Sequence, residues 1–254
     1  VERAQAQVYA AERDVAGRIG ASLGKGGPAE SRFEPRADVP KAGVLLALPA
    51  LWASGLWKHT EAHFALPAGY YQLVHLFLLV AFLALARVKS LESLRYCAPG
   101  EWGKVLGLDR IPEVRTLREK LQLLGEEKQV SAWAAQLSRQ WMAEDPESAG
   151  TLYVDGHVRV YHGSAARLPK HYVSRQRLCL RATTDYWVNA ADGQPFFVVH
   201  RPVDPGLLKV LEEEILPRLE QEVPNQPTAE ALAADPTLDK FIVVFDREGY
   251  SPEV

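Results

Sequence analysis

The stretch Gly150–Gly163, GTLYVDGHVRVYHG, decides the fold of the second half of the chain. It is rich in β-branched and aromatic residues, which predicts a strand. One carboxylate, Asp155, interrupts the apolar series, so we expect a buried acid with a functional reason for its position. A second acid, Asp246, ends the apolar run in KFIVVFDREGYS at residues 240–251. The two stretches predict that Asp155 and Asp246 are halves of one metal site.

Size and composition set the outer limits. The 254 residues suffice for one large domain or two ordinary ones, and a hydrophobic content of 47% supports a buried core. A net charge of -3 gives no global sign of a nucleic-acid partner, so such a partner has to be sought in local charge. Cys97 and Cys179 are the only cysteines. Neither a disulfide framework nor a cysteine zinc site is expected, and a cytoplasmic location follows.

Both ends of the chain look like internal positions of a longer protein. There is no initial methionine, and the first residues are charged and helical rather than a signal peptide. The most apolar run, residues 73–86, is too short for the roughly 20 residues of a membrane span, so we expect a buried core helix and no membrane association. We expect truncation at both ends.

The periodicity changes along the chain. Residues 1–36 predict an amphipathic helix and a Gly/Pro-rich linker, and residues 37–147 predict an all-helical domain. Residues 150–254 predict strands at 152–162, 177–188 and 195–201, the last two joined by a hairpin at Asp192-Gly193. A helix opened by Asp204 as N-cap follows, with one apolar face over residues 207–219, and then a fourth strand at 241–245. The fold class is therefore a two-part α+β or α/β chain, helical first and a mixed sheet second.

The fourth predicted strand is apolar at every position, Phe241 to Phe245. That composition is typical of a central strand buried on both faces, and the preceding helix would be the crossover that makes it parallel to an earlier strand. If it lies beside strand 152–158, Asp155 and Asp246 approach each other and can share Mg²⁺ or Mn²⁺, which prefer oxygen ligands. The alternative is that both acids only serve local turns.

Two regions are candidates for DNA binding. Residues 101–108 and 112–124 predict two helices joined by a turn, with Arg115 and Arg118 on the second, as in a helix that enters a major groove. The alternative is an ordinary helical hairpin with paired charges. Residues 156–184 contain no Asp or Glu but six cations, which suit a phosphate backbone unless the segment is only a solvated loop. These cations are Arg159, Arg167, Lys170, Arg175, Arg177 and Arg181.

The stretches YVDGHVRVYHG, LPKHYVSRQRLCLRATTDYWVNAADGQPFFVV and VVFDREGYSP resemble the catalytic domain of DDE-superfamily transposases. The resemblance implies a ribonuclease H-like core in residues 150–254, with Asp155 as the first acid, Asp246 as the second, and two Mg²⁺ or Mn²⁺ ions in the full-length site. The family's third acid, a glutamate on a later helix, has no counterpart before the chain ends, so we expect an incomplete, inactive fragment.

The resemblance also implies DNA as partner, both transposon ends and target, bound in the nucleoid, and a homodimer. The leading hypothesis is metal-dependent DNA strand cleavage and strand transfer during DNA transposition. The alternative is a non-catalytic DNA-binding protein derived from a transposase. A third, a ribonuclease H-like nuclease acting on RNA or hybrids, fits the helical domain less well.

Overall fold

The computed structural model describes residues 14–163, 166–173, 176–202 and 204–246. The chain forms two compact units, Val1–Trp133 and Ala134–Val254. Helices come first and a mixed sheet follows, which confirms the predicted order of classes. The division into domains at 1–36, 37–147 and 150–254 stays a prediction.

The helical unit contains short helices around one long apolar helix. The described α-helices that precede the sheet are α1 Val15–Ser22, α2 Leu48–Ala53, α3 Leu56–His63, α4 Leu73–Leu85, α5 Pro99–Leu106, α6 Val114–Glu126 and α7 Val130–Glu144. The boundary between the two units falls within α7. Two 3₁₀ helices, Ala42–Ala47 and Leu91–Tyr96, lie among them.

Helix α4 supplies the centre of the helical core. Leu76, Leu79 and Phe82 have exposures of 1% or less and pack with Leu117 of α6 in one apolar cluster. The apolar run at 73–86 is therefore a core helix, as predicted. No helix in the described part of the chain is long and apolar enough to cross a membrane.

The second unit is a mixed sheet with helices on one side. Its strands are β1 Thr151–Val160, β2 Lys170–Val173, β3 Leu178–Ala190, β4 Pro195–Arg201 and β5 Ile242–Phe245, after a 3₁₀ turn at Ser148–Gly150. Between β4 and β5 come α8 Leu207–Val210, a π turn Leu211–Ile215, α9 Leu216–Glu222 and α10 Ala229–Ala234.

The strand pairings define one five-stranded sheet. β3 pairs antiparallel with β1, β2 and β4, and β1 pairs parallel with β5. The turn between β3 and β4 is the predicted hairpin, closed by the bond from the Gly193 amide to the Ala190 carbonyl at 3.0 Å. The parallel pairing of β1 with β5 confirms the predicted crossover.

The two sheet faces differ in what covers them. Leu152 and Val154 of β1, Val188 of β3 and Phe197 of β4 pack against Leu211 and its helical neighbours in one apolar cluster. We call this the inner face. The opposite side, the outer face, consists of the odd-numbered residues of β1 and β3 and their register partners, because side chains alternate along a strand and direct partners share a face.

The crossover helix contains a proline where a regular helix would not tolerate one. Pro217 lacks an N–H, and its ring would collide with the carbonyl four residues earlier. The π turn widens the helix just before it, with the Leu216 amide bonded to the Leu211 carbonyl. The predicted apolar face survives this irregularity, since Leu211, Ile215 and Leu219 are all buried.

Two predictions about the sheet unit are wrong, and one strand was missed. Strand β2 was not predicted, because a four-residue polar segment shows little periodicity. β5 is exposed on most of its residues, with Ile242 at 49% and Val244 at 37%, because no described element covers the outer face there. Asp204 is not the helix N-cap, since the helix begins after Gly206, and Asp204 instead accepts the Gly206 amide at 2.9 Å.

Candidate functional site

The parallel pair β1 and β5 brings the two predicted acids together. Val154 pairs with Phe245, so the register continued by one residue places Asp246 beside Asp155. Neighbouring strands lie about 4.8 Å apart, and both acids belong to the outer face. Two carboxylates at such neighbouring positions can approach one cation, and a metal site shared by Asp155 and Asp246 stays a prediction.

The expectation that Asp155 is buried is wrong. Its side chain is exposed, because the outer face of β1 lies uncovered among the described residues. Trp187, its register partner on β3, is also exposed at 37%. Tyr186 points the other way, is 2% exposed and donates its hydroxyl proton to Asp204.

The buried acid of the outer face is Asp185, which sequence reasoning missed. It lies on β3 opposite His157, two positions along the strands from the Asp155–Trp187 pair. Its residue exposure is only 3%. The signal was present in the stretch TTDYW at 183–187, where one acid sits in a strand of β-formers, the same signal that singled out Asp155.

Both oxygens of Asp185 are occupied by cationic or polar partners from neighbouring strands. Arg159 of β1 donates from Nη1 to Oδ2 at 3.1 Å, and His200 of β4 places Nδ1 2.6 Å from Oδ1. The partners themselves remain open to solvent, with side-chain exposures of 65% for Arg159 and 59% for His200. We call Arg159, Asp185 and His200 the carboxylate clamp.

The predicted basic segment is spread over β1, β2, β3 and their connections. Arg159, Lys170 and Arg181 are exposed strand residues of the outer face. Arg167 and Arg177 are exposed on the connections, Arg177 with a left-handed φ of 54°. Arg175 lies outside the described residues. Five of the six predicted cations are thus exposed, and three share a face with the acid pair.

Two of these cations stand directly opposite each other. Lys170 of β2 is the register partner of Arg181 of β3. Like charges at directly opposed positions of an antiparallel pair are destabilising. Neither side chain makes an ion pair with an acid in the described parts of the chain. An anion bound over this pair would relieve the repulsion.

The second predicted DNA contact lies in the helical unit. α5 and α6 are joined by a turn at Gly107, whose φ of 68° suits glycine. On α6, Arg115 pairs with Glu119 at 2.8 Å, and Arg118 pairs with Glu92. Charge pairing within the unit therefore accounts for both guanidinium groups, and their contact with DNA stays a prediction.

The described residues contain two acids at the candidate metal position but no larger ligand set. No group of three or more His, Cys, Asp or Glu side chains able to hold a metal ion occurs in the described ranges. Asp155 and Asp246 are hard oxygen donors, the type that Mg²⁺ and Mn²⁺ prefer. The two residues thus fit part of a divalent metal site.

Comparison with known proteins gives the family. A family model described as "Transposase protein" matches residues 10–254, nearly the whole chain. The chain belongs to this transposase family. A transposase acts on DNA, so the family assignment gives this transposase a role in transposition and DNA as its partner. Among curated proteins and solved structures, the transposase has no significant match.

Proposed function

We propose that this transposase is of the DDE type, a metal-dependent enzyme for DNA strand cleavage and strand transfer with a ribonuclease H-like sheet. The observation that supports this most directly is the parallel register of β1 and β5, whose last pair, Val154 and Phe245, directly precedes Asp155 and Asp246. Carboxyl ends of strands are where such sheets gather their chemistry, and Asp246 follows the last residue of β5.

The metal would be Mg²⁺ or Mn²⁺ held by Asp155 and Asp246, in a two-ion site. Divalent ions bound there would activate a water or a 3′-hydroxyl and stabilise the oxygen that leaves the phosphodiester. The chain's own contribution is to hold Asp155 on β1 and Asp246 directly after β5, so that two paired strands would set the spacing of the ligand pair.

DNA would lie along the outer face of the sheet. Arg159, Lys170 and Arg181 extend from the acid pair across three strands of that face, and the exposed Arg167 and Arg177 lie on the adjoining connections. Such contacts position the backbone without reading sequence. Binding should therefore weaken with salt, in proportion to the number of phosphates contacted.

Metal binding tests the acid pair without requiring turnover. The full chain is titrated with Mn²⁺ and followed by calorimetry, in the wild type and in Asp155→Asn, Asp246→Asn and Asp192→Asn. Asp192 is an exposed acid in the β3–β4 turn and gives the same change of charge. We expect Asp155→Asn and Asp246→Asn each to weaken Mn²⁺ binding at least about tenfold, since each replaces an anionic carboxylate ligand with a neutral amide.

Strand cleavage and transfer on labelled DNA complete the test. In a full-length version of the protein, Asp155→Asn should abolish Mg²⁺-dependent strand transfer while DNA binding remains. Unchanged Mn²⁺ affinity in both variants would contradict the metal assignment. DNA binding by a wild-type chain that binds no Mn²⁺ would favour the alternative, a DNA-binding protein derived from a transposase.

A further inference from the structure

The carboxylate clamp has an uneven distribution of burial that an ordinary structural ion pair lacks. The acid, Asp185, is almost fully buried, whereas Arg159 and His200 are more than half exposed. A buried carboxylate loses its hydration and needs hydrogen-bond partners in return. The arrangement therefore supplies the buried carboxylate with partners and, at the same time, fixes two outward-facing polar groups on the sheet surface.

The bonding leaves both groups available to a ligand. Arg159 donates to Asp185 from Nη1, and a guanidinium has five donors in a planar fork, so its other nitrogens can still donate. His200 faces Asp185 with Nδ1, which leaves Nε2 on the opposite side of an exposed ring. The clamp thus presents two anchored side chains to solvent, on the face that holds the acid pair.

The geometry points to a preorganised phosphate site: we propose that Arg159 and His200, oriented by Asp185, bind a phosphodiester of the DNA that this transposase processes. Asp185 is a positioning residue, which acts on DNA only through its two partners. The inference rests on the proposed placement of DNA along the outer face. It adds His200 as a DNA contact and gives a function to a buried acid.

The distance from the acid pair suits one continuous strand of DNA. Arg159 lies four residues beyond Asp155 on β1, or about 13 Å at about 3.3 Å per residue. That length corresponds to about four nucleotides at about 3.4 Å of helix rise per phosphate of one strand. A phosphate held by the clamp would therefore fix the register of the backbone a few nucleotides from the acid pair.

The test uses a substitution for which the positioning role and simple electrostatics predict opposite changes in DNA affinity. Asp185→Asn removes a negative charge, so charge alone would raise affinity for DNA. The clamp instead predicts weaker binding, because Arg159 and His200 lose their orientation and have to be ordered when DNA binds. We expect Asp185→Asn to bind a short fluorescent duplex, in buffer containing EDTA, at least about fivefold more weakly than wild type. The matched control Asp192→Asn should bind as wild type does or slightly tighter.

The exposed partners provide a second measurement that does not depend on a buried substitution. Arg159→Gln should reduce the slope of log affinity against log salt by about 0.9, the value for one lost phosphate contact. His200→Gln should also weaken binding, and adding Asp185→Asn to the double variant Arg159→Gln/His200→Gln should weaken binding no further, because Asp185 acts only through these two partners. Thermal unfolding of each variant checks that the sheet is intact.

The results that overturn the inference are distinct from those that overturn the metal site. A folded Asp185→Asn that binds DNA as well as wild type, or an unchanged salt slope in Arg159→Gln, excludes the clamp. A wild-type chain that binds no DNA excludes it too. Mn²⁺ binding at Asp155 and Asp246 is measured without DNA, so the clamp can fail while the metal site stands, and the reverse.

Discussion

At the scale of single residues, His75 shows a neutral imidazole built into the helical core. Its Nδ1 accepts the Gln72 amide at 3.1 Å, and its Nε2 lies 3.3 Å from the Ser31 hydroxyl, which donates to the Leu106 carbonyl. These partners require the proton on Nε2. Burial lowers the pKa of His75 from the usual 6.5. Protonation would break the bond to Gln72 and place a charge in the core.

We expect acid to destabilise the helical unit through His75. Below pH 6.5, the His75 side chain is protonated in the unfolded chain but still neutral in the folded chain. The free energy of unfolding therefore falls as the pH drops toward the lower pKa of folded His75. Above that range the contribution is fully present. His75→Gln should flatten the dependence of α4 amide-exchange protection on pH between about 7 and 5. The exposed His162→Gln should keep the wild-type dependence; an equal flattening in both would exclude His75 as the origin.

The sequence shows acids within predicted strands, but it does not show whether each acid is buried or exposed. Asp155 and Asp185 both stand in strands of β-formers, and the sequence offers no way to tell which is buried. Burial depends on neighbours across the sheet: Asp185 has Arg159 on one side and His200 on the other, while Asp155 lies next to β5. His200 is 15 residues from Asp185 and meets it only through the β3–β4 register.

At the scale of elements, β2 and the extended end of β3 form a two-stranded arm with an electrostatic conflict. Lys170 and Arg181 oppose each other directly, and the arm has only four register pairs to offset their repulsion. Natural strand pairs rarely keep such a mismatch without a use. We interpret the Lys170–Arg181 pair as a feature that lowers the stability of the arm but creates a positively charged surface.

Replacing Lys170 should therefore improve folding and impair binding. Lys170→Glu converts a repulsive pair into an attractive one with Arg181, which should stabilise the arm by about 0.2–1 kcal/mol. Amide exchange in β2 should slow accordingly, while affinity for duplex DNA falls. Lys25→Glu, an exposed lysine with the same change of charge, should leave β2 exchange unchanged. Faster exchange in Lys170→Glu would contradict the proposed repulsion.

Elements were predictable where local pattern and packing agree. The apolar spacing of residues 207–219 identified the crossover helix, and the Asp192-Gly193 dipeptide identified the hairpin, because both signals are local. β2 was not predicted, because its four residues form a strand only by pairing with the far end of β3. The exposure of β5 could not be predicted either, because an apolar run does not indicate which elements cover the strand.

At the scale of the whole molecule, the chain has two separate apolar clusters. One contains Leu76, Phe82 and Leu117, and the other contains Leu152, Val188 and Ile215. Each belongs to one of the two compact units. A unit with its own core can unfold as its own cooperative step. We therefore expect two transitions in calorimetry, which amide exchange can assign to the helical and the sheet unit.

Ligands should then act on the two transitions unequally. At the proposed metal site, Mn²⁺ would bind only the folded sheet unit, so mass action would stabilise that unit by about 2.7 kcal/mol at a free concentration of about 100 times the dissociation constant. The transition of the sheet unit should move up, and that of the helical unit should stay. Asp155→Asn should abolish the shift, and Asp192→Asn should retain it. If both transition temperatures rise equally, either the metal binds elsewhere or the two units unfold together. If the rise persists in Asp155→Asn, the metal binds at a different site.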